Sequence, residues 1–453
     1  MLISRYSKPE FDPYGDNEPV ETDPWWPAPT AAAPLACTVS LPGSKSLTNR
    51  ELVLSALADA PSLLRSPLHS RDSDLMVDAL RQMGTTIEAV PGTGAFGSDL
   101  RITPAAELLG STTVDCGLAG TVMRFVPPIA ALALGPTTFD GDAGARRRPM
   151  STMITALRDL GTDINDDGRS ALPFTVHGRG AVTGGEVTID AGTSSQFVSG
   201  LLLAATRFDQ GLHLYHSGER LPSLPHIEMT RATLANRGVT VTSPTVGEWV
   251  VEPGTIRGAE VDIEPDLSNA APFLAAALVT GGSVTISGWP ADTTQVGAHL
   301  RELLPLFGAT VALDGDRLTV TAGDGIHGVE LDLGAGGELA PTLVALAALA
   351  DSPSTITGIG HLRHHESNRL EALATEINRL GGNVTELPDG LRIEPRPLTG
   401  GEWLSYEDHR MATAGALIGL AVPGVLVENI ATTAKTLPQF PELWHAMLPE
   451  AQL

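Results

Sequence analysis

Cationic side chains recur in this chain beside short runs of small polar residues, and that pairing suits the handling of anions. The stretch L-P-G-S-K-S-L-T-N-R carries Lys45, Ser46 and Arg50. G-L-A-G-T-V-M-R carries Gly117, Gly120, Thr121 and Arg124. Arg146, Arg147 and Arg148 stand together before a proline, and Ser194, Ser195 and Gln196 open another apolar run. The C-terminal half adds Glu338 in G-E-L-A-P. It also holds His361, Arg363, His364, His365, Glu366 and Arg369 in H-L-R-H-H-E-S-N-R-L. Asp408, His409 and Arg410 follow, then Lys435 in T-A-K-T-L-P. Guanidinium forks match carboxylate and phosphate. Glycine lets a ligand approach the backbone closely. Two carboxyl groups in different surroundings can divide acid and base work. Taken singly, each stretch reads equally well as a capped helix, a glycine turn or a solvated basic loop. Repetition of the pattern raises it above that.

Other chemistries lack their marks. No H-E-x-x-H, G-x-S-x-G or Walker A sequence occurs, and HxxHHE is not a standard ligand spacing. No metal and no cofactor is expected. The basic residues are 26 Arg and three Lys: Lys8, Lys45 and Lys435. Lysine can lose its proton when its pKa shifts, which arginine cannot.

The elements that must place these residues form a repeat. A helix-like segment ending in glycine and followed by a strand-like run recurs at Gly84, Gly161, Gly238, Gly308 and Gly381, spaced 77, 77, 70 and 73 residues apart. Each reads as a helix closed by a left-handed glycine. Interleaved are six long Ala/Leu/Val helices with small polar starts near residues 43, 117, 194, 266, 337 and 407. They are apolar almost all round, so they belong inside a layer. Helix N-termini carry unpaired N–H groups and partial positive charge, and so attract anions. The pattern predicts six copies of one α/β unit, three plus three, in two similar lobes.

Composition narrows the class further. With 453 residues and a formal charge of −24, the chain is not expected to bind nucleic acid, which would need a basic face, or an anionic membrane surface. Apolar residues make up 42%, enough for sizeable cores. No apolar run approaches ~18 residues, so no membrane span is expected. Cys37 and Cys116 are too few for a disulfide framework. No secretory signal opens the chain, and a cytoplasmic location is expected.

Seven ordered motifs carry a resemblance to a known family: LPGSKSLTNR (41–50), GLAGTVMRF (117–125), RRRPM (146–150), SSQFVSGLLLAA (194–205), HESNRL (365–370), DHRM (408–411) and TAKTLPQF (433–440). Over residues 34–446 the chain resembles the 3-phosphoshikimate 1-carboxyvinyltransferases, or EPSP synthases, and most of all their actinobacterial branch. The resemblance implies an α/β fold of two lobes, each of three βαβαββ units, the inside-out α/β barrel of the enolpyruvyltransferases. It implies one lobe over 46–264 and a second over 34–45 plus 265–453, with the site in the cleft between them. Residues 1–33, which include Trp25 and Trp26, are expected as a flexible tail. The implied reaction moves the carboxyvinyl group of phosphoenolpyruvate to the 5-hydroxyl of shikimate 3-phosphate and releases phosphate. A monomer is expected.

The resemblance also assigns residues. Lys45, Glu338 and Glu366 are implied as catalytic. Lys45, Ser46, Arg50, Ser194, Ser195, Gln196, Ser223, Glu338, His361 and His365 are implied for shikimate 3-phosphate. Lys45, Gly120, Arg148, Gln196, Arg369, Arg410 and Lys435 are implied for phosphoenolpyruvate. The chain departs from many members at four places: Glu338 stands for Asp, His365 for Lys with His361 for Asn, His226 for Tyr, and Leu118 for Asn. Gly120 is retained, which implies sensitivity to glyphosate. Two rivals remain. The sister UDP-N-acetylglucosamine 1-carboxyvinyltransferases normally carry a reactive Cys in the loop equivalent to GDAGARRRP, and this loop has none. A catalytically dead scaffold would be expected to lack Lys45, Glu338, Glu366 or Lys435, and all four are present.

Overall fold

The computed structural model describes residues 24–92 and 94–449. All five predicted helix–glycine–strand junctions are present. Gly84, Gly161, Gly238, Gly308 and Gly381 have φ between 83° and 100°, a region in which a Cβ is strained. After them the strands Thr86–Val90, Asp163–Asn165, Val241–Thr242, Thr310–Asp314 and Val384–Leu387 begin.

The unit is clearest at Thr112–Asp115. That strand runs parallel to Leu134–Asp140, and the helix Gly120–Ala131 crosses between them. Phe174–Arg179 then pairs antiparallel with Leu134–Asp140, and Asp163–Asn165 forms the edge. Five four-stranded sheets share this plan, and the sixth has three strands. The crossing helices are Lys45–Ala56, Gly120–Ala131, Gln196–Ala205, Leu267–Thr280, Ala340–Ala348 and His409–Gly419. Every residue of Gly120–Ala131 is buried, as an all-round apolar helix requires.

Two separate hydrophobic cores result. One gathers buried residues from Leu52 to Ile256. The other joins Ala28, Leu35, Val39 and Leu41 to residues from Leu267 onward. The chain passes between the cores twice. Ala36–Val39 pairs with Ser283–Ser287 in the second core, although the next helix belongs to the first. Glu260–Asp262 pairs with Ser62–Arg65 in the first core, although the next helix belongs to the second. The two passing segments are tied to each other. Gly43 bridges Pro265, Ser44 N–H donates to Glu264 C=O at 2.8 Å, and Asp266 N–H donates to Pro42 C=O at 2.9 Å.

The expected tail differs in its last part. Residues 1–23 of it lie outside the described residues. Trp25–Pro27 is a strand, antiparallel to Val425–Glu428, which itself runs parallel to Gly401–Trp403. The sixth unit lacks its own returning strands, so one edge of Val425–Glu428 would carry unpaired backbone groups. The N-terminal segment covers that edge. Trp26 also meets His445 edge-on, with ring centroids 5.5 Å apart.

Candidate active site

Five of the six crossing helices present their N-terminal residues to one cleft of about 1210 Å³, part of it open to solvent. Their caps follow from sequence. Ser44 accepts from Leu47 N–H, Asp266 from Asn269 N–H at 2.9 Å, and Asp408 from Arg410 N–H at 2.9 Å. Asp266 also accepts from Lys45 N–H at 3.1 Å, which joins two helix starts from different cores.

Most of the residues singled out in the sequence line this cleft. They are Lys45, Ser46, Gly120, Arg124, Arg148, Ser194, Ser195, Gln196, Ser223, His226, Glu338, His361, His365, Glu366, Arg369 and Arg410. Lys435 stands directly behind Glu366, with Nζ 2.7 Å from Oε1. Arg50 is not among the residues that line the cleft. The residue is 1% exposed. It donates to Thr230 Oγ1 at 2.8 Å, His226 C=O at 2.9 Å and Ser46 C=O at 3.0 Å, and it lies over the Phe125 ring. Burial lowers its pKa to about 10, though Glu338 pulls the other way. The reason is helix geometry: five residues on from Lys45, its side chain leaves the N-terminal end for the inner face.

Gly120 is closely hemmed in by side chains of the site. A Cβ there would lie 2.9 Å from Gln196 Oε1 and 3.2 Å from both Arg124 Nη1 and Arg148 Nη1. Nε of Arg124, Nε of Arg148 and Oε1 of Gln196 are buried without a hydrogen-bond partner. Burial, and then the charge of Arg148, push the Arg124 pKa well down. Two crowded guanidiniums with unused hydrogen-bonding capacity favour an anion beside them.

The two carboxylates are held differently. Glu338 accepts from the Ser268 hydroxyl through Oε1 and pairs with His226 Nε2 through Oε2 at 3.2 Å. Burial raises its pKa, but His226, Arg410 and the Ser268 bond outweigh that and hold it well below the usual range. Glu366 meets Lys435 through Oε1 and Arg369 Nη2 through Oε2 at 3.0 Å. Burial again opposes ionisation, but Lys435, Arg369 and Arg148 win, and the group stays a carboxylate. Burial lowers the pKa of Lys435 itself. Arg369 is fixed from behind by Asp408, at 2.8 Å and 3.0 Å. Lys45 Nζ lies 3.3 Å from Asp72, and the Lys45 side chain is 20% exposed.

Burial keeps the neighbouring histidines neutral. His361 is pushed down to about 4, and His365 and His409 lie well below their ordinary value. Among the described residues no cluster of His, Cys, Asp or Glu has metal-holding geometry. Cys116 is buried and its thiol pKa is pushed up by burial, which leaves it inert. Asp72, Asp266 and Ser268 were not among the sequence candidates. Asp266 and Ser268 do sit in the fourth polar helix start, which was the available signal. Asp72 had none, because it reaches Lys45 only through packing of the next helix, Arg71–Gln82.

Two cores joined by paired crossings, with a cation-lined cleft and two buried carboxylates, define an enzyme of the two-lobed α/β class that takes anionic substrates. A family model described as EPSP synthase (3-phosphoshikimate 1-carboxyvinyltransferase) matches residues 29–444. The chain belongs to the EPSP synthase family. It is 57% identical over 431 residues to a 3-phosphoshikimate 1-carboxyvinyltransferase of Kocuria rhizophila, covering 94% of this chain and 97% of that protein. Its fold matches two structures of EPSP synthase from Acinetobacter baumannii, each with a TM-score of 0.75 at 22% identity. They cover 92% and 94% of this chain, and 97% and 99% of theirs. Among the described residues no helix is long and apolar enough to cross a membrane.

Proposed function

We propose that the chain transfers the carboxyvinyl group of phosphoenolpyruvate to the 5-hydroxyl of shikimate 3-phosphate, releasing phosphate. The observation that carries this reading is the set of unpartnered buried polar atoms around Gly120, on Arg124, Arg148 and Gln196. They suit a compact donor bearing both carboxylate and phosphate. The two cores serve as lobes over 46–264 and over 34–45 plus 265–453, with the reaction in the cleft between them. The enzyme works in the cytoplasm as a monomer and is inhibited by glyphosate.

The residues divide the work. Arg148, Gln196, Arg369, Arg410 and Lys435 hold the donor, with Gly120 leaving room for it. Ser46, Ser194, Ser195, Ser223, His361 and His365 hold the acceptor. Arg50 serves the acceptor as well, and it anchors the backbone of His226. Glu338, ionised, removes the 5-hydroxyl proton as the oxygen attacks the donor's substituted vinyl carbon. The methylene carbon gains a proton from Glu366. Glu366 is a carboxylate at rest, so it must first be protonated, and the buried Lys435 ammonium is the donor in reach. The tetrahedral adduct then loses phosphate while Glu366, now a carboxylate again, takes a proton from the new methyl group to restore the C=C bond, and Lys45 stabilises the leaving charge.

Phosphate release tests this. The purified protein is mixed with phosphoenolpyruvate and either shikimate 3-phosphate or UDP-N-acetylglucosamine. Release with the shikimate ester alone, abolished in Lys45→Ala, is expected. Release only with the nucleotide sugar would reject the acceptor, and silence with both would reject the reaction.

A further inference from the structure

Glu338 is clamped between the two cores. The Ser268 hydroxyl, on a helix of the second core, bonds one carboxylate oxygen, and His226 Nε2, on a helix of the first, lies 3.2 Å from the other. We propose that His226 is a positioning residue for Glu338, donating its Nε2–H across the cleft to fix the carboxylate for proton removal. The inference rests on the role given to Glu338 above.

The rest of the molecule braces His226 for this task. Its carbonyl accepts from Arg50 Nη2 at 2.9 Å, Thr230 Oγ1 at 3.0 Å and Ser199 Oγ at 3.4 Å. Arg50 and Ser199 come from two neighbouring crossing helices, so the ring projects from a fixed base. Its helix, Leu224–Asn236, starts at Ser223, whose N–H donates to Gly334 C=O at 3.4 Å. Gly334 precedes Glu338 by four residues, so the segments carrying the two side chains are tied through backbone as well. An ionised Glu338 can only accept, so the contact requires a proton on His226 Nε2. The titratable and charged groups around Glu338 are His226, Arg410, Arg50, Arg369 and Asp266. Of these, His226 alone hydrogen-bonds it. Losing that donor therefore moves the acid limb of kcat to higher pH.

The test compares the unaltered enzyme, His226→Phe, His226→Gln and Glu338→Gln. The readouts are pH-dependent kinetics, thermal melts and side-chain nitrogen NMR of the histidines. In His226→Phe we expect kcat to fall about tenfold, as loss of one hydrogen bond to a charged group implies, with both KM values within about twofold. The acid limb should rise by a measurable fraction of a pH unit. His226→Gln retains an N–H near the Nε2 position and should recover most of the loss. In the unaltered free enzyme His226 should be the Nε2–H tautomer, and Glu338→Gln should release that lock. Equal loss in both His226 variants in step with their melting temperatures would overturn the proposal. So would a raised acceptor KM with kcat and acid limb unmoved, since His226 would then be a substrate contact. An Nδ1–H tautomer overturns it whether or not the enzyme is active. An inactive unaltered enzyme with the normal tautomer rejects the reaction instead.

Discussion

Glu366 and Lys435 share a 2.7 Å hydrogen bond with both side chains nearly sealed from solvent. The pair belongs to a longer chain of charge, since Glu366 also holds Arg369, and Arg369 holds Asp408. Each charge is buried only because the next one compensates it.

Breaking this pair should therefore cost stability as well as activity. In Lys435→Met the buried carboxylate loses its nearest cation, and unfolding free energy should drop by about 3 kcal/mol at neutral pH. Denaturant unfolding measures this. Glu366 has a folded pKa below its unfolded one, so its stabilisation is complete at neutral pH. It is lost as pH falls through the depressed folded value, below the ordinary 4.5. The mutant's deficit should accordingly shrink toward low pH. A deficit independent of pH would contradict the assignment.

Gly120→Ala places a methyl 2.9 Å from Gln196 Oε1 and 3.2 Å from the Arg124 and Arg148 guanidiniums. These are side-chain tips rather than backbone, so they can move. Gly120 is the first helical residue and has no left-handed φ, so the fold should survive. The expected result is an unchanged melting temperature and a raised KM for phosphoenolpyruvate. By the usual ~1–3 kcal/mol of overpacking, the rise should be about tenfold or more. Glyphosate inhibition should weaken in the same variant. An unaltered donor KM would place the donor away from Gly120.

Asp408→Asn tests whether Arg369 needs its rear support. Asp408 accepts two bonds from Arg369, one from the Ser367 hydroxyl at 3.0 Å and one from Arg410 N–H. The amide keeps one acceptor oxygen and loses the charge. Stability should fall by about 3 kcal/mol, as when one partner of a buried pair is removed. The KM for phosphoenolpyruvate should rise as well, because the Arg369 guanidinium loses its fixed orientation. A stable variant with normal kinetics would show that Arg369 is held well enough by Glu366 alone.

Much of the fold was legible in the chain. Positive-φ glycines and all-apolar helices are local signals, written in a few adjacent residues. That is why Gly84, Gly161, Gly238, Gly308 and Gly381 and the six helix starts were found in place. The cation positions were legible too, since helix starts attract small polar residues and anions alike. The N-terminal strand was not. Trp25–Pro27 has no strand pattern of its own and is ordered by an open edge 400 residues further on.

The sequence by itself determined the repeat, the two-part architecture, the polar helix starts and which residues could meet an anion. Tertiary structure alone decided how those residues face one another. It buried Arg50 against the His226 carbonyl, set Lys435 behind Glu366, and brought His226 and Ser268 from separate cores onto one carboxylate. The reason is the range of the forces involved. Helix capping and left-handed turns act within a few residues. Burial of a charge is settled only when segments distant in sequence close around it and supply its partner.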